Sequence, residues 1–180
     1  DDVLGLMEGL AAEILRTCHG LTIPTPFPRL TYADAVLRYG SDKPDLRFGL
    51  EIVDVSDVAA EGEFTVFKSV LAAGGVVRGI NAKGAADKFS NSALKPGGEL
   101  PKVVEVYKAK GLAWMKAEGD KLTGSIEKFF PDAVKAKLKD RMGVEPGDLV
   151  LFVADKEAVA ADALGALRQH LAISLKLYQN

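Results

Sequence analysis

Cysteine is nearly absent from this chain, with Cys18 the only one in 180 residues. A single thiol closes neither a disulfide nor a cysteine zinc site within the chain, and such usage suits a reducing cytosol. Histidine is almost as scarce. His19 and His170 lie far apart, and neither has a second metal ligand at a useful spacing, so no metal centre is expected. His19 adjoins Gly20 at the end of the first helical pattern, where a cation meets a helix C-terminus favourably. Cys18 lies on that pattern's apolar stripe and is expected to be packed, not nucleophilic. No apolar run reaches the roughly 18 residues a membrane span needs, and the opening Asp1-Asp2 is unlike a signal peptide, so a cytoplasmic location is expected. A strong net charge is missing as well. The 23 Lys and Arg against 25 Asp and Glu leave −2, so any contact with nucleic acid has to come from a local patch. There is no serine elbow. The glycine clusters Gly74-Gly75, Lys83-Gly84 and Pro96-Gly97-Gly98 lack the P-loop spacing and read as turns. The first residue is not methionine and the chain opens directly into a helical pattern, which reads as a piece of a larger protein.

What is present is an ordinary globular composition, 48% hydrophobic and 27% charged, long enough for one good core or for one domain plus the edge of another. Leu4, Met7, Ala11, Ile14 and Cys18 recur at helical steps, predicting an amphipathic helix over 2–18. Prolines at 24, 26 and 28 force an extended connection, and Thr31 with Asp34 marks the start of a short helix ending near Tyr39. The β-branched and aromatic runs 64–71 and 75–80 read as a hairpin around Ala72-Ala73-Gly74. A helix is expected over 99–109, a strand over 112–116 turning at Gly119-Asp120 into a partner near Leu122, and helices over 125–130 and 132–142. The unbroken run Leu149–Val153 reads as a central strand. A last helix over 156–177 buries Ala160, Leu164, Leu167, Leu171 and Leu175. Helices between antiparallel hairpins define an α+β class, a two-layer sandwich of antiparallel sheet and helices.

The most informative stretch is Tyr39-Gly40-Ser41-Asp42-Lys43-Pro44-Asp45-Leu46-Arg47-Phe48-Gly49. Pro44 biases Lys43 away from helix, Gly40 stops the preceding helix, and Asp42/Lys43 and Asp45/Arg47 could cross-brace the loop. Asp42 and Asp45 are read as ion-pairing partners, not as a general acid–base pair. On physics alone, two readings stand: a structural loop, or a loop that serves a site. Together with Phe27–Ala35 and Arg38, this run resembles the segment after the second class II motif in bacterial-type aspartyl-tRNA synthetases. Further similarity follows in the family's order: Gly111–Trp114, Ser125–Phe130, Pro146-Gly147-Asp148 with Leu151–Asp155, and Ala163–Arg168. The Ser-Asp-Lys-Pro-Asp-Leu-Arg run is specific, whereas the Gly-Ala-Leu-Arg and Pro-Gly-Asp pieces are weak alone.

The resemblance implies a catalytic-domain edge over 1–49, a GAD insertion domain of DCoH-like fold over 50–170, and an exit toward the catalytic domain over 171–180. It also implies a parent that joins aspartate to tRNA using ATP and magnesium, a homodimer by expectation, with the rest of its own chain and tRNA as partners and no membrane. The family's Phe-Arg-x-Glu and Gly-x-Gly-x-Gly-x-x-Arg motifs do not occur here, so no catalytic residue and no cofactor site carries over. The junction loop contributes Ser41, Asp42, Lys43, Asp45 and Arg47 as candidate site residues. The same module in an archaeal-type glutamyl-tRNA amidotransferase subunit, or a freestanding interaction domain, remains an alternative. Lys128, Lys135, Lys137, Lys139 and Arg141 crowd one region. Lys135 and Lys139 share a helix face, and with Lys128 they are candidates for tRNA phosphates, against the plainer reading of a solvated surface. Trp114, beside Leu112 and Met115, is expected in the core.

Overall fold

The computed structural model describes residues 2–178, which divide after Thr31 into two compact units. In the first, α1 (Asp2–His19) closes on Gly20 in the left-handed conformation, whose amide donates to the Arg16 carbonyl at 3.1 Å. Arg29 of the following extended segment returns to Glu8 at 2.7 Å. No residue of α1 is buried, and Val3, Leu6, Met7, Leu10 and Ile14 are exposed. Cys18 is exposed, contrary to the packed position expected of it, as are Leu4, Met7 and Ile14 of the same stripe.

The second unit begins with α2 (Tyr32–Tyr39) and is built on a five-stranded antiparallel sheet of order β1-β2-β5-β3-β4. The strands are β1 (Ile52–Asp54), β2 (Val76–Ala82), β3 (Ala113–Glu118), β4 (Lys121–Gly124) and β5 (Leu149–Asp155). As the apolar run predicts, β5 is central and buried at every position. Its odd residues Leu149, Leu151 and Val153 face a core formed with α5 (Asn91–Leu94), α6 (Glu99–Glu105) and α8 (Glu157–Ser174). Its even residues Val150, Phe152 and Ala154 face a second core formed with α3 (Ser56–Ala60), α4 (Thr65–Ala72) and α7 (Asp132–Met142). The fold is the expected α+β class, with helices on both faces of the sheet.

Four local expectations are corrected. Where a strand over 64–71 was expected, residues 65–72 form helix α4: Phe67 and Val70 are buried three residues apart, and Ser69 Oγ donates to the Thr65 carbonyl one turn earlier at 2.8 Å. A helical period thus overrides a β-rich composition, and β2 pairs with β5 and with β1, a strand absent from the expected order. The helix from Glu99 ends at Glu105 because Lys108 turns left-handed (φ 66°) ahead of Gly111. Residues 125–130 hold only a 3₁₀ turn, Glu127–Phe129. The last helix buries Ala160, Leu164, Leu167 and Leu171 as predicted, but it ends at Ser174, and Leu175, expected in the stripe, is its half-buried cap.

Candidate functional site

The loop from Gly40 to Gly49 is tied to α8 by one buried cation. Arg168 is 1% exposed, and its guanidinium donates to three backbone carbonyls: Asp45 at 2.6 Å, Phe48 at 3.0 Å and Gly49 at 3.2 Å. It lies over the rings of Tyr39 at 4.8 Å and Phe48 at 4.3 Å. The planar fork of arginine suits this task, since it offers several fixed donors and stacks on aromatics. Burial pulls the Arg168 pKa down, opposed by Tyr39, Asp45 and Glu51. On the other side of the contact, Gly40 (φ 70°) and Gly165 let the two backbones meet. A Cβ at Gly165 would lie 2.7 Å from the Gly40 carbonyl oxygen, and one at Gly40 would overlap the Ala161 carbonyl.

Of the two bracing pairs expected within this loop, one forms. Asp45 accepts from the Arg47 amide at 3.0 Å and from its guanidinium at 2.6 Å, and these bonds hold its carboxyl at about 2. Arg47 also stacks over Tyr178 at 4.9 Å. Among the described residues no ion pair joins Asp42 to Lys43: both side chains are exposed, and the Lys43 amide donates to Ser41 Oγ at 3.2 Å. The structure thus brings Asp45 and Arg47 together and leaves Asp42 and Lys43 facing solvent. Arg38 and Tyr39 of α2 both reach Glu51, at 2.6 and 3.3 Å, and the Arg38 bonds keep that carboxylate below its usual range. Between clamp and sheet, Leu50 is held left-handed at φ 61°, a conformation unfavourable for a branched side chain.

The basic face of α7 is mostly neutralised from within. Lys135 lies 3.3 Å from Asp132 and 3.6 Å from Glu127, Lys137 is 2.6 Å from Glu61, and Arg141 is 2.7 Å from Asp57. Lys139 donates to the Asp120 carbonyl at 3.2 Å, and Lys128 stacks over Phe129 at 5.0 Å. Lys135 and Lys139 line one shallow depression with Asp120 and Lys121, and Lys128 is not part of it.

Sequence reasoning missed the buried polar anchors. Arg78 is 3% exposed on β2 and reaches Asp54 at 3.2 Å and Glu157 at 2.6 Å, joining β1 to α8. Asp148, 2% exposed, accepts from the amides of Gly84 and Glu145 and from Asn81 Nδ2, each at 2.9 Å. Burial is the largest influence on Asp148 and opposes ionisation, yet these donors with Lys83 hold its pKa below the usual value. Pro146-Gly147-Asp148 stood out only as a weak piece of the family similarity, and its partners at 81–84 are distant in sequence. His170 bonds Glu99 at 2.8 Å, pinning α8 to α6. Trp114 is buried in the core, as expected.

Among the described residues no group of three or more His, Cys, Asp or Glu could hold a metal ion, and no helix is long and apolar enough to cross a membrane. The arrangement fixes a charged junction to the sheet domain through Arg168.

Such a two-faced antiparallel sheet with an arginine-held lead-in segment defines a structural module. The GAD domain family model matches residues 67–164, and the chain belongs to that family. It is 50% identical over 176 residues to an aspartate–tRNA ligase of Geobacillus kaustophilus, covering 98% of this chain and 29% of that protein. It is 52% identical over 178 residues to an aspartate–tRNA(Asp/Asn) ligase of Symbiobacterium thermophilum, and 48% identical over 177 residues to one of Anoxybacillus flavithermus. The chain spans 29% of the length of each of these relatives.

Proposed function

We propose that this chain is the insertion module, with its incoming and outgoing segments, of an aspartate–tRNA ligase. The observation that carries the reading is the identity of 48–52% running through 98% of the chain, far outside the 67–164 match to the GAD family. The junction is included: Ser41, Asp42, Lys43, Asp45 and Arg47 lie in the loop that Arg168 ties down. In this reading residues 1–49 are an edge of the catalytic domain, 50–170 the insertion, and 171–180 the way back. The parent protein forms aspartyl-adenylate from ATP with magnesium, passes aspartate to tRNA in the cytoplasm, and acts as a homodimer.

The module's own task is to hold its position on the catalytic body. Arg168 is a positioning residue in this scheme, since it sets the direction in which the chain enters the sheet domain. ATP and magnesium are assigned to no residue of this chain: the family's Phe-Arg-x-Glu and Gly-x-Gly-x-Gly-x-x-Arg motifs lie outside it, and in this reading they belong to the rest of the parent. The isolated chain is therefore expected to catalyse no aspartate-dependent exchange of pyrophosphate into ATP, while the full-length protein does. Exchange by the pure chain, abolished by a point substitution within it, would overturn the division of labour. Absence of exchange from the full-length protein would overturn the enzyme assignment.

A further inference from the structure

A cleft of about 650 Å³ opens where β3 begins, with Phe64, Phe67, Leu94, Trp114, Ile126 and Ala154 among its walls. None of the junction, the basic helix or the family reading uses it. Its volume falls in the range of real ligand sites, about 300–1,000 Å³.

The cleft also contains an unfinished strand edge. Odd residues of β3 direct their amides and carbonyls toward β5: the Ala117 amide donates to the Asp148 carbonyl at 2.9 Å, and the Gly147 amide donates to the Ala117 carbonyl at 2.7 Å. The register carries that pattern through Met115↔Val150 to Ala113↔Phe152, where β3 starts. The next β5 residue facing the same way is Ala154, and its partner would be residue 111. On the other side Val77 stands opposite Ala154 but bonds away from it, its amide to Ser56 Oγ at 2.9 Å and its carbonyl accepting from the Val55 amide at 3.0 Å. The Ala154 amide and carbonyl thus face the cleft beyond the end of the ladder. A strand edge with open donors and acceptors is a template for an added strand.

The rim supplies a sign. Lys95, Lys110 and Lys116 line the cleft against a single acid, Glu118. Lys116 donates to the Phe89 carbonyl at 2.9 Å, whereas Lys95 and Lys110 are exposed and form no ion pair among the described residues.

We propose that this cleft docks an extended acidic peptide segment of a separate protein. The peptide backbone takes the place beside Ala154 that β3 leaves open, an apolar side chain enters between Phe64, Phe67 and Ile126, and flanking carboxylates meet Lys95 and Lys110. This site is independent of the ligase reading and survives its failure.

The test uses a fluorescein-labelled acetyl-Glu-Val-Phe-Val-Glu-amide peptide, titrated into the 180-residue chain and into the full-length protein. The expected result is saturable binding to both that weakens with salt, with amide shifts at Ala154 and Gly111 in ¹H–¹⁵N spectra. Lys95→Glu with Lys110→Glu should weaken binding about tenfold or more, the scale of losing hydrogen bonds to charged groups. A peptide with Lys in place of Glu should regain that loss on the double variant, which also establishes that the variant is folded. Methylating the central peptide nitrogen should weaken binding without altering the protein. The proposal is overturned if Ala154 and Gly111 do not shift, or if the charge-swapped peptide regains nothing. Binding to the chain alone would mean that the parent covers the cleft, and equal affinity for acetyl-phenylalanine-amide would assign it to a small ligand. Either result also overturns the proposal.

Discussion

Arg168 is a buried cation whose neighbours are dipoles and rings, with no carboxylate in direct contact. That arrangement is costly to disturb, since its removal leaves the carbonyls of Asp45, Phe48 and Gly49 without a donor in a site closed to water. Arg168→Met is expected to destabilise the second unit by about 3–5 kcal/mol, the scale of leaving three buried carbonyls without a donor at about 1–3 kcal/mol each, partly relieved by relaxation. Arg168→Lys keeps the charge but not the fork, and should cost less, about 2 kcal/mol. Urea unfolding of the two variants measures both, and a loss under about 0.5 kcal/mol for Arg168→Met would place the residue with ordinary surface substitutions. Asp148 carries a second prediction, this one about acid. Its folded pKa lies below the reference value of 3.8, so its contribution is complete above that pH and is lost as pH falls through the lower folded value. Asp45, at about 2, loses its own contribution in the same direction, and its exposure keeps that contribution small. Replacing Asp148→Asn should therefore cost about 1–3 kcal/mol near neutrality and flatten the fall of stability below about pH 4. An unchanged acid slope would mean that other carboxylates govern acid unfolding. Neither residue announced itself in sequence. Arg168 lay in a short Gly-Ala-Leu-Arg piece and Asp148 in an equally weak Pro-Gly-Asp piece, and what singles them out is partners more than 60 positions away.

Among the elements, legibility followed the strength and length of the pattern. The central strand and α8 were plain because seven buried residues and an eighteen-residue stripe leave little competition between periods. Residues 64–71 misled because Phe, Thr and Val favour strands by composition, while the spacing of Phe67 and Val70 obeys the helix. Strand β1, only three residues long, has no pattern to read and exists because β2 is there to pair with. The candidate lysines were legible as a cluster, but their neutralisation was not, since Glu61 and Asp57 approach α7 from α3 and its exit. These pairs set the expectation for tRNA. In the full-length protein, Lys135→Ala with Lys139→Ala should leave tRNA affinity and its salt dependence unchanged, because both side chains already have partners within the fold. If they instead meet phosphates, the double substitution would flatten the salt slope by about 0.7–0.9 log unit for each phosphate no longer neutralised, and would restore these residues as an RNA-binding face.

At the scale of the whole molecule, the two units differ in how their apolar surface is spent. The second encloses two cores on opposite faces of one sheet, with Val153, Leu151 and Leu164 fully buried. The first is a single helix with no buried residue and an extended tail pinned by Arg29 to Glu8. A salt bridge at the surface is worth about 0–1 kcal/mol, and an isolated helix of this length, with Gly5 and Gly9 inside it, is marginal in water. Local stability follows buried contacts, so hydrogen exchange in the isolated chain should find the amides of Leu149–Val153 protected to the global limit and those of residues 4–18 exchanging through local opening. The same experiment addresses the proposed boundary at residue 50. Residues 32–49 hold Ala35, Tyr39 and Phe48 buried and are gripped by Arg168, so α2 and the loop should share the protection of the sheet even though they are assigned to the catalytic edge. In the full-length protein, residues 4–18 should gain protection as the catalytic domain covers Leu6, Met7 and Leu10, while β5 stays as it was. Equal, strong protection of residues 4–18 in the isolated monomer would instead make α1 part of the insertion's own fold and move the boundary to the start of the chain.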